Sequence, residues 1–80
     1  MRIDKFLKVS RILKRRTVAH DAALAGKICV NGKEVKPSFR LKTGDEVEIF
    51  FTAGSFKFRV KELKETVKKD EAASLYEVIG

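Results

Sequence analysis

The spacing of apolar residues at the start of the chain predicts a first helix. Ile3, Phe6 and Leu7 lie three and four positions apart and form one apolar stripe at helical spacing. Basic residues fall between them and would occupy the other faces of the helix. The segment from Ser10 to Arg16 then reads as a basic connection, in which Ile12 and Leu13 would anchor the chain to the core.

A second helix is predicted directly after this connection. Thr17 has the side chain of a typical N-cap residue, since its hydroxyl can accept a backbone N–H bond. Val18, Ala22 and Ala25 follow at helical spacing and are expected to form the buried stripe. Gly26 is expected to end the helix, because glycine tolerates a left-handed backbone at that position.

The pattern then changes to short strands. Asn31-Gly32 is a strong two-residue hairpin signal, and charged and apolar residues alternate later in the chain, as in half-buried strands. The predicted strands are 28–30, 34–35, 46–51, 56–60 and an edge strand at 75–79, with one helical turn at 70–74. Two helices followed by an antiparallel meander make a small α+β fold, expected to be one domain over residues 1–80.

Charge is concentrated in the first quarter of the chain. The protein carries a net charge of +7, and residues 1–20 contain seven Lys and Arg residues against one acidic residue, which leaves +6. A surface that serves solubility mixes its signs, whereas this distribution is typical of a face that binds a polyanion. A solvated basic face without a partner is the alternative.

The candidate binding residues fall into two groups. A helix N-terminus has unpaired N–H groups and a partial positive charge, so basic residues just before it create an anion site. Asp4 is the exception within the basic segment: it would act at the helix N-terminus or orient a neighbouring arginine. The predicted polyanion-binding residues are Arg2, Lys5 and Lys8 on the first helix, and Arg11, Lys14, Arg15, Arg16 and Thr17 before the second.

Catalysis and metal binding have little support in the sequence. His20 is the single histidine and Cys29 the single cysteine, so neither can form a metal-binding cluster with its own kind. His20 reads as a helix-surface residue or a phosphate contact, and Cys29 as a structural residue in a strand. We therefore expect no enzyme activity, no metal and no cofactor. The chain also lacks an apolar run long enough for a membrane span or signal peptide, which favours the cytoplasm.

Structured RNA is the polyanion that fits best. The first helix is too short to fill a DNA major groove and read base edges. Phe56 and Phe58 share one strand face and are expected in the core rather than on a base-stacking platform. A surface that contacts phosphates and recognises shape suits structured RNA.

The segment from residue 1 to about 51 resembles the S4-type RNA-binding domain. The resemblance rests on "RIDKFLK", on "KRRT" before the second helix, on "AGKICVNG" and on "RLKTGDEVEI". It implies the S4-like (alpha-L) fold, in which two N-terminal helices are followed by a small antiparallel sheet. Residues 52–80 would supply the C-terminal strands of that sheet.

The tail "ELKETVKKDEAA" extends the resemblance to stand-alone bacterial proteins of the heat-shock-protein-15 group, and in particular to ribosome-associated quality-control factors. This resemblance implies binding to large-subunit rRNA and peptidyl-tRNA on the large ribosomal subunit. It also implies stabilisation of the P-site tRNA and cooperation with an RqcH-type tailing factor. Two alternatives stay open: a heat-shock-type recycling factor, which would have a longer basic C-terminal extension, and a general structured-RNA-binding module.

Overall fold

The computed structural model describes all 80 residues as two helices packed on one face of a five-stranded antiparallel sheet. Helix α1 spans Ile3–Val9 and helix α2 spans Arg16–Leu24. The strands are β1 Ile28–Val30, β2 Lys33–Glu34, β3 Glu46–Phe51, β4 Gly54–Val60 and β5 Tyr76–Val78, with a 3₁₀ helix at Lys69–Leu75 before β5. The predicted α+β class, with helices first and a small antiparallel sheet after them, is confirmed.

The core lies between the helices and the inner face of the sheet. The predicted α1 stripe is fully buried, and the Phe6 ring stacks on the Phe58 ring with centroids 6.1 Å apart. Phe58 also meets Tyr76 edge to face at 5.5 Å, which joins β5 to the same cluster. Ile12 and Leu13 pack against this core as predicted. The loop between the helices is therefore fixed by apolar contacts rather than left free.

The order of the strands differs from the predicted meander. The sheet order is β2-β1-β3-β4-β5, so β3 pairs with β1 instead of following β2. Asn31 and Gly32 have positive φ values of 51° and 85° and form the predicted tight hairpin, which leaves β2 as a short edge strand. The longer β3 gains a buried position beside β1, because Val47 and Ile49 face the core there whereas β2 is exposed.

The buried face of α2 is shifted by one residue from the prediction. Ala19 and Ala23 are buried, whereas Val18 is 48% exposed and Ala25 lies on the surface. Both choices satisfy helical spacing, because alanine recurs through this helix. The small side chains of Ala19 and Ala23 suit the close contact between α1 and α2, because the bulkier Val18 side chain would hold the two helices apart.

The predicted N-cap of α2 is also wrong. The helix begins at Arg16, its N-cap residue is Arg15 with an extended backbone, and no side chain caps it. Thr17 lies inside the first turn with its side chain exposed. The end of this helix is as predicted, since Gly26 has a φ of +74° just beyond it. The Thr17 hydroxyl is thus free of a capping role.

Candidate nucleic-acid interface

The centre of the basic surface is a buried carboxylate held between two arginines from different helices. Asp4 in the first turn of α1 is only 2% exposed. The Nε and Nη2 atoms of Arg2 donate to its two carboxylate oxygens at 3.2 and 3.0 Å. Arg16 Nη2, at the start of α2, lies 3.3 Å from Oδ1. We call these three residues the Asp4 cluster; it joins the beginnings of the two helices.

The electrostatics of the cluster favour a charged Asp4. Burial of the carboxylate would by itself raise its pKa, but the hydrogen bonds and charges of Arg2 and Arg16 outweigh burial and lower the pKa below its ordinary value of 3.8. The backbone N–H of Lys5 donates to Oδ1 at 2.8 Å as well. Asp4 is thus ionised at neutral pH, and it fixes two guanidinium groups whose outer parts remain exposed.

Local backbone contacts hold α1 in place under this cluster. The N–H groups of Ile3 and Asp4 donate to carbonyl groups of the loop at residues 37–39, at 2.8 and 3.3 Å. The N–H of Leu41 donates to the carbonyl of Met1 at 2.9 Å. The start of the chain is therefore bound to a second segment, and Arg2 occupies a defined position.

The entrance to α2 provides the second part of the predicted surface. Arg15, Arg16 and Thr17 are exposed, and the first turn contains no acidic residue. The N-terminal N–H groups of the helix therefore lack a side-chain cap and face a basic surrounding, which is the arrangement that binds anions. The structure brings Arg2, just before α1, and Arg16, at the start of α2, together at Asp4.

The side chains of Lys5, Lys8, Arg11 and Lys14 take no part in the Asp4 cluster. Lys5 forms an ion pair with Glu65 of the C-terminal segment. Lys8, Arg11 and Lys14 line a separate cleft near the end of α1, together with Lys69. The sequence interpretation missed Glu65 and Lys69. Glu65 lies 60 residues beyond Lys5, and both residues belong to a distant segment without clear periodicity.

Neither His20 nor Cys29 belongs to a group of residues that could hold a metal ion. His20 is half-buried, and its Nδ1 lies 3.7 Å from the carboxylate of its neighbour Asp21. Cys29 is a free, partly buried thiol on β1. Burial, followed by the charges of Glu34 and Glu48, raises the pKa of the Cys29 thiol, which disfavours the nucleophilic thiolate.

Comparison with known proteins identifies the class to which this fold and surface belong. Residues 1–47 match the family model of the S4 domain. The chain also superposes on heat shock protein 15 of Vibrio cholerae with a TM-score of 0.90 and 25% identity, over 99% of this chain and 81% of that one. The chain belongs to the S4 domain family, and the predicted S4-type fold is confirmed.

Two relatives within this class have the same name. The chain is 48% identical over 79 residues to the RQC P-site tRNA stabilizing factor of Bacillus subtilis, covering 99% of this chain and 92% of that protein. It is 52% identical over 80 residues to the factor of the same name from Streptococcus pneumoniae, covering 100% and 91%. The chain is thus a member of the family of RQC P-site tRNA stabilizing factors, which confirms the resemblance to ribosome-associated quality-control factors. None of its helices is both long and apolar enough to cross a membrane.

Proposed function

We propose that the protein is a non-catalytic RNA-binding factor of ribosome-associated quality control, in which residues 1–80 act as one binding unit. The observation that carries this proposal is the Asp4 cluster. A buried carboxylate holds Arg2 and Arg16 from two helices side by side, while their side chains remain 41% and 45% exposed. Such an arrangement is a rigid pair of guanidinium groups directed at an anionic partner.

Pre-organisation is what distinguishes this pair from ordinary surface arginines. A free arginine loses side-chain entropy when it binds a phosphate. Asp4 already restrains both guanidinium groups, and the Nη1 group of each has no side-chain partner. The planar Nη groups can donate to phosphate oxygens in a defined direction. The cluster therefore favours an RNA surface whose phosphates match a fixed spacing.

The relatives supply the proposed target. Their name assigns them to the stabilisation of tRNA in the P site. We propose that this protein binds the large ribosomal subunit that carries peptidyl-tRNA, contacting both large-subunit rRNA and the tRNA. It would thereby keep the tRNA in the P site and support C-terminal tailing of the stalled chain with an RqcH-type factor, in the cytoplasm. Arg2, Lys5, Lys8, Arg11, Lys14, Arg15, Arg16 and Thr17 form the proposed RNA surface, and Asp4 has the orienting role.

Co-sedimentation with large subunits tests this proposal. Wild-type protein should co-sediment at moderate salt with large subunits that carry peptidyl-tRNA, and less with subunits from which the tRNA has been released. We expect Arg2→Ala and Arg16→Ala, each alone, to lower affinity about tenfold, which abolishes co-sedimentation at moderate salt, while circular dichroism shows an unchanged fold. Arg59→Ala, which removes the same charge from the sheet, is the matched control. If both cluster variants co-sediment like the control, the assigned surface is wrong.

Recycling of obstructed large subunits is the second candidate, favoured by the fold likeness to heat shock protein 15. The two functions differ in their product. A tailing factor should increase the length of the stalled nascent chain in a reconstituted reaction with an RqcH-type factor and charged tRNA. A recycling factor should instead increase release of peptidyl-tRNA or its peptide without extension.

A further inference from the structure

A basic cleft separate from the Asp4 cluster lies between the end of α1 and the C-terminal segment. It encloses about 660 Å³. None of its four cations forms an ion pair with a carboxylate. These cations are Lys8, Arg11, Lys14 and Lys69, and all four side chains are exposed.

The floor of this basic cleft is apolar and fixed. Val9, Leu13 and Val67 line it and pack against the hydrophobic core. Glu65 is the one acidic residue of the lining, and its carboxylate is engaged by Lys5 at the edge of α1. The cleft thus combines unpaired positive charges with a rigid apolar floor. The one carboxylate of its lining, that of Glu65, is paired with Lys5.

The backbone of Arg11 is a second, independent feature of the basic cleft. Arg11 has a φ of +63°, a left-handed conformation that glycine commonly occupies after a helix. Its N–H donates to the carbonyl of Lys8 at 3.1 Å, and the N–H of Leu13 donates to the carbonyl of Leu7 at 3.0 Å. An arginine at a position that suits glycine bears backbone strain, and such strain is concentrated at functional sites.

We propose that this basic cleft is a second RNA contact, which binds backbone phosphates through Lys8, Arg11, Lys14 and Lys69. The inference rests on the proposed RNA-binding function and extends it to the C-terminal segment. The lining has lysine and arginine charges on aliphatic stems but only one hydroxyl, that of Thr66, to orient a small ligand. A chain of backbone phosphates is bound mainly through its charge and needs no single orientation, so it fits this lining better than a small ligand does.

The Asp4 cluster and the basic cleft lie at opposite ends of α1. Asp4 is in the first turn of this helix and Lys8 is in its last turn, so RNA that contacts both sites would extend along the helix. Lys69 would then bind beyond the end of α1, outside the residues 1–47 that match the S4 domain.

A pair of neighbouring lysines tests the proposal. Lys69 lines the basic cleft, whereas Lys68 is exposed beside it and does not. Binding should be measured over a range of salt concentrations with two probes: large subunits carrying peptidyl-tRNA, and purified bulk tRNA. We expect Lys69→Ala to weaken binding several-fold and to flatten the log–log salt dependence by roughly 0.7–0.9. Lys68→Ala should change the slope by less than half of that.

The outcomes separate the two proposals. If wild-type protein binds either probe and Lys69→Ala behaves like Lys68→Ala, the cleft proposal is wrong and the RNA-binding function stands. An equal loss in both variants also overturns the cleft, since it reflects only net charge. If wild-type protein binds neither probe, both proposals fail. If wild-type protein binds tRNA but not large subunits, and Lys69→Ala weakens the tRNA binding, only the ribosomal target is contradicted.

Arg11→Gly is the second variant, chosen because it removes the charge and suits the backbone. We expect the same flattening of the salt dependence as for Lys69→Ala, with a thermal midpoint equal to or above that of the wild type. Unchanged RNA affinity in this variant would show that Arg11 serves only the turn and would overturn its place in the basic cleft.

Discussion

Two charged surfaces of this small protein use arginine and lysine in opposite ways. On the outer sheet face, formed by Glu46, Glu48, Lys57, Arg59 and Glu77, cations and carboxylates stand directly opposite one another in the strand register. On the helical face, the basic residues outnumber their acidic partners, which are Asp4 and Glu65. The cations of the outer sheet face stand opposite carboxylates of the protein itself, whereas the helical face keeps an excess of positive charge.

The ion pairs show this difference directly. Arg59 donates to Glu77 at 2.8 Å and to Glu46 at 3.0 Å, and the hydrogen bond with Glu46 is the main cause of its raised pKa. Both of its partners are exposed carboxylates on neighbouring strands. Asp4, by contrast, is buried and shared by two arginines, so it positions them without cancelling their combined charge. Pairing on the sheet joins neighbouring strands, and pairing at Asp4 joins the beginnings of the two helices.

The largest expected change in RNA affinity comes from removing two cations from the helical face. Removing two cations from the outer sheet face is the comparison. We expect Arg2→Gln with Arg16→Gln to weaken RNA binding by roughly a hundredfold, about tenfold for each arginine whose charge-assisted hydrogen bond to phosphate is removed. Lys57→Gln with Arg59→Gln lowers the net charge equally but should change affinity by less than about twofold at physiological salt. Fluorescence anisotropy with labelled tRNA measures both; equal losses of affinity would show that total charge alone determines binding.

A smaller but sharper effect is expected for Asp4→Asn. This substitution raises the net charge by one, so a surface that acts by charge alone should bind RNA more tightly. We expect weaker binding, by several-fold, because Arg2 and Arg16 lose the carboxylate that holds them. The free energy of unfolding should fall by about 1–3 kcal/mol, because the charge-assisted hydrogen bonds to Asp4 are weakened or removed. Urea unfolding and anisotropy give both values, and tighter binding would refute the orienting role.

The smallest effect concerns the dependence of stability on pH. The pKa of Asp4 is lowered in the folded state, so its contribution to stability is complete above the unfolded value of 3.8 and is lost as the pH falls through the folded pKa. We expect wild-type protein to lose stability relative to Asp4→Asn below about pH 4. Thermal midpoints between pH 2 and pH 6 test this, and parallel curves for the two proteins would contradict it.

Much of the local structure follows from the sequence, because its causes are local. The spacing of Ile3, Phe6 and Leu7 is enough to define α1 and its buried stripe. Asn31-Gly32 is enough to define the hairpin, since both residues tolerate a positive φ. The excess of positive charge in residues 1–20 similarly requires no structure to recognise.

Which distant residues come into contact depends on how the whole chain packs. Alanine recurs along α2 in more than one helical phase, so only packing against α1 selects Ala19 and Ala23 as the buried pair. The pairing of β3 with β1 depends in the same way on contacts between distant segments. Spacing along the chain carries no information about such partners.

The binding surface shows the same division. The basic N-terminal segment and its one acidic residue are visible in the sequence, because charge is a property of each residue alone. The folded chain then places Asp4 between Arg2 and Arg16, which are separated in the sequence by helix α1 and the connection that follows it. It also brought Lys69 to the end of α1. These contacts form because burial of the two helices against the sheet sets their positions, and that burial depends on the whole chain.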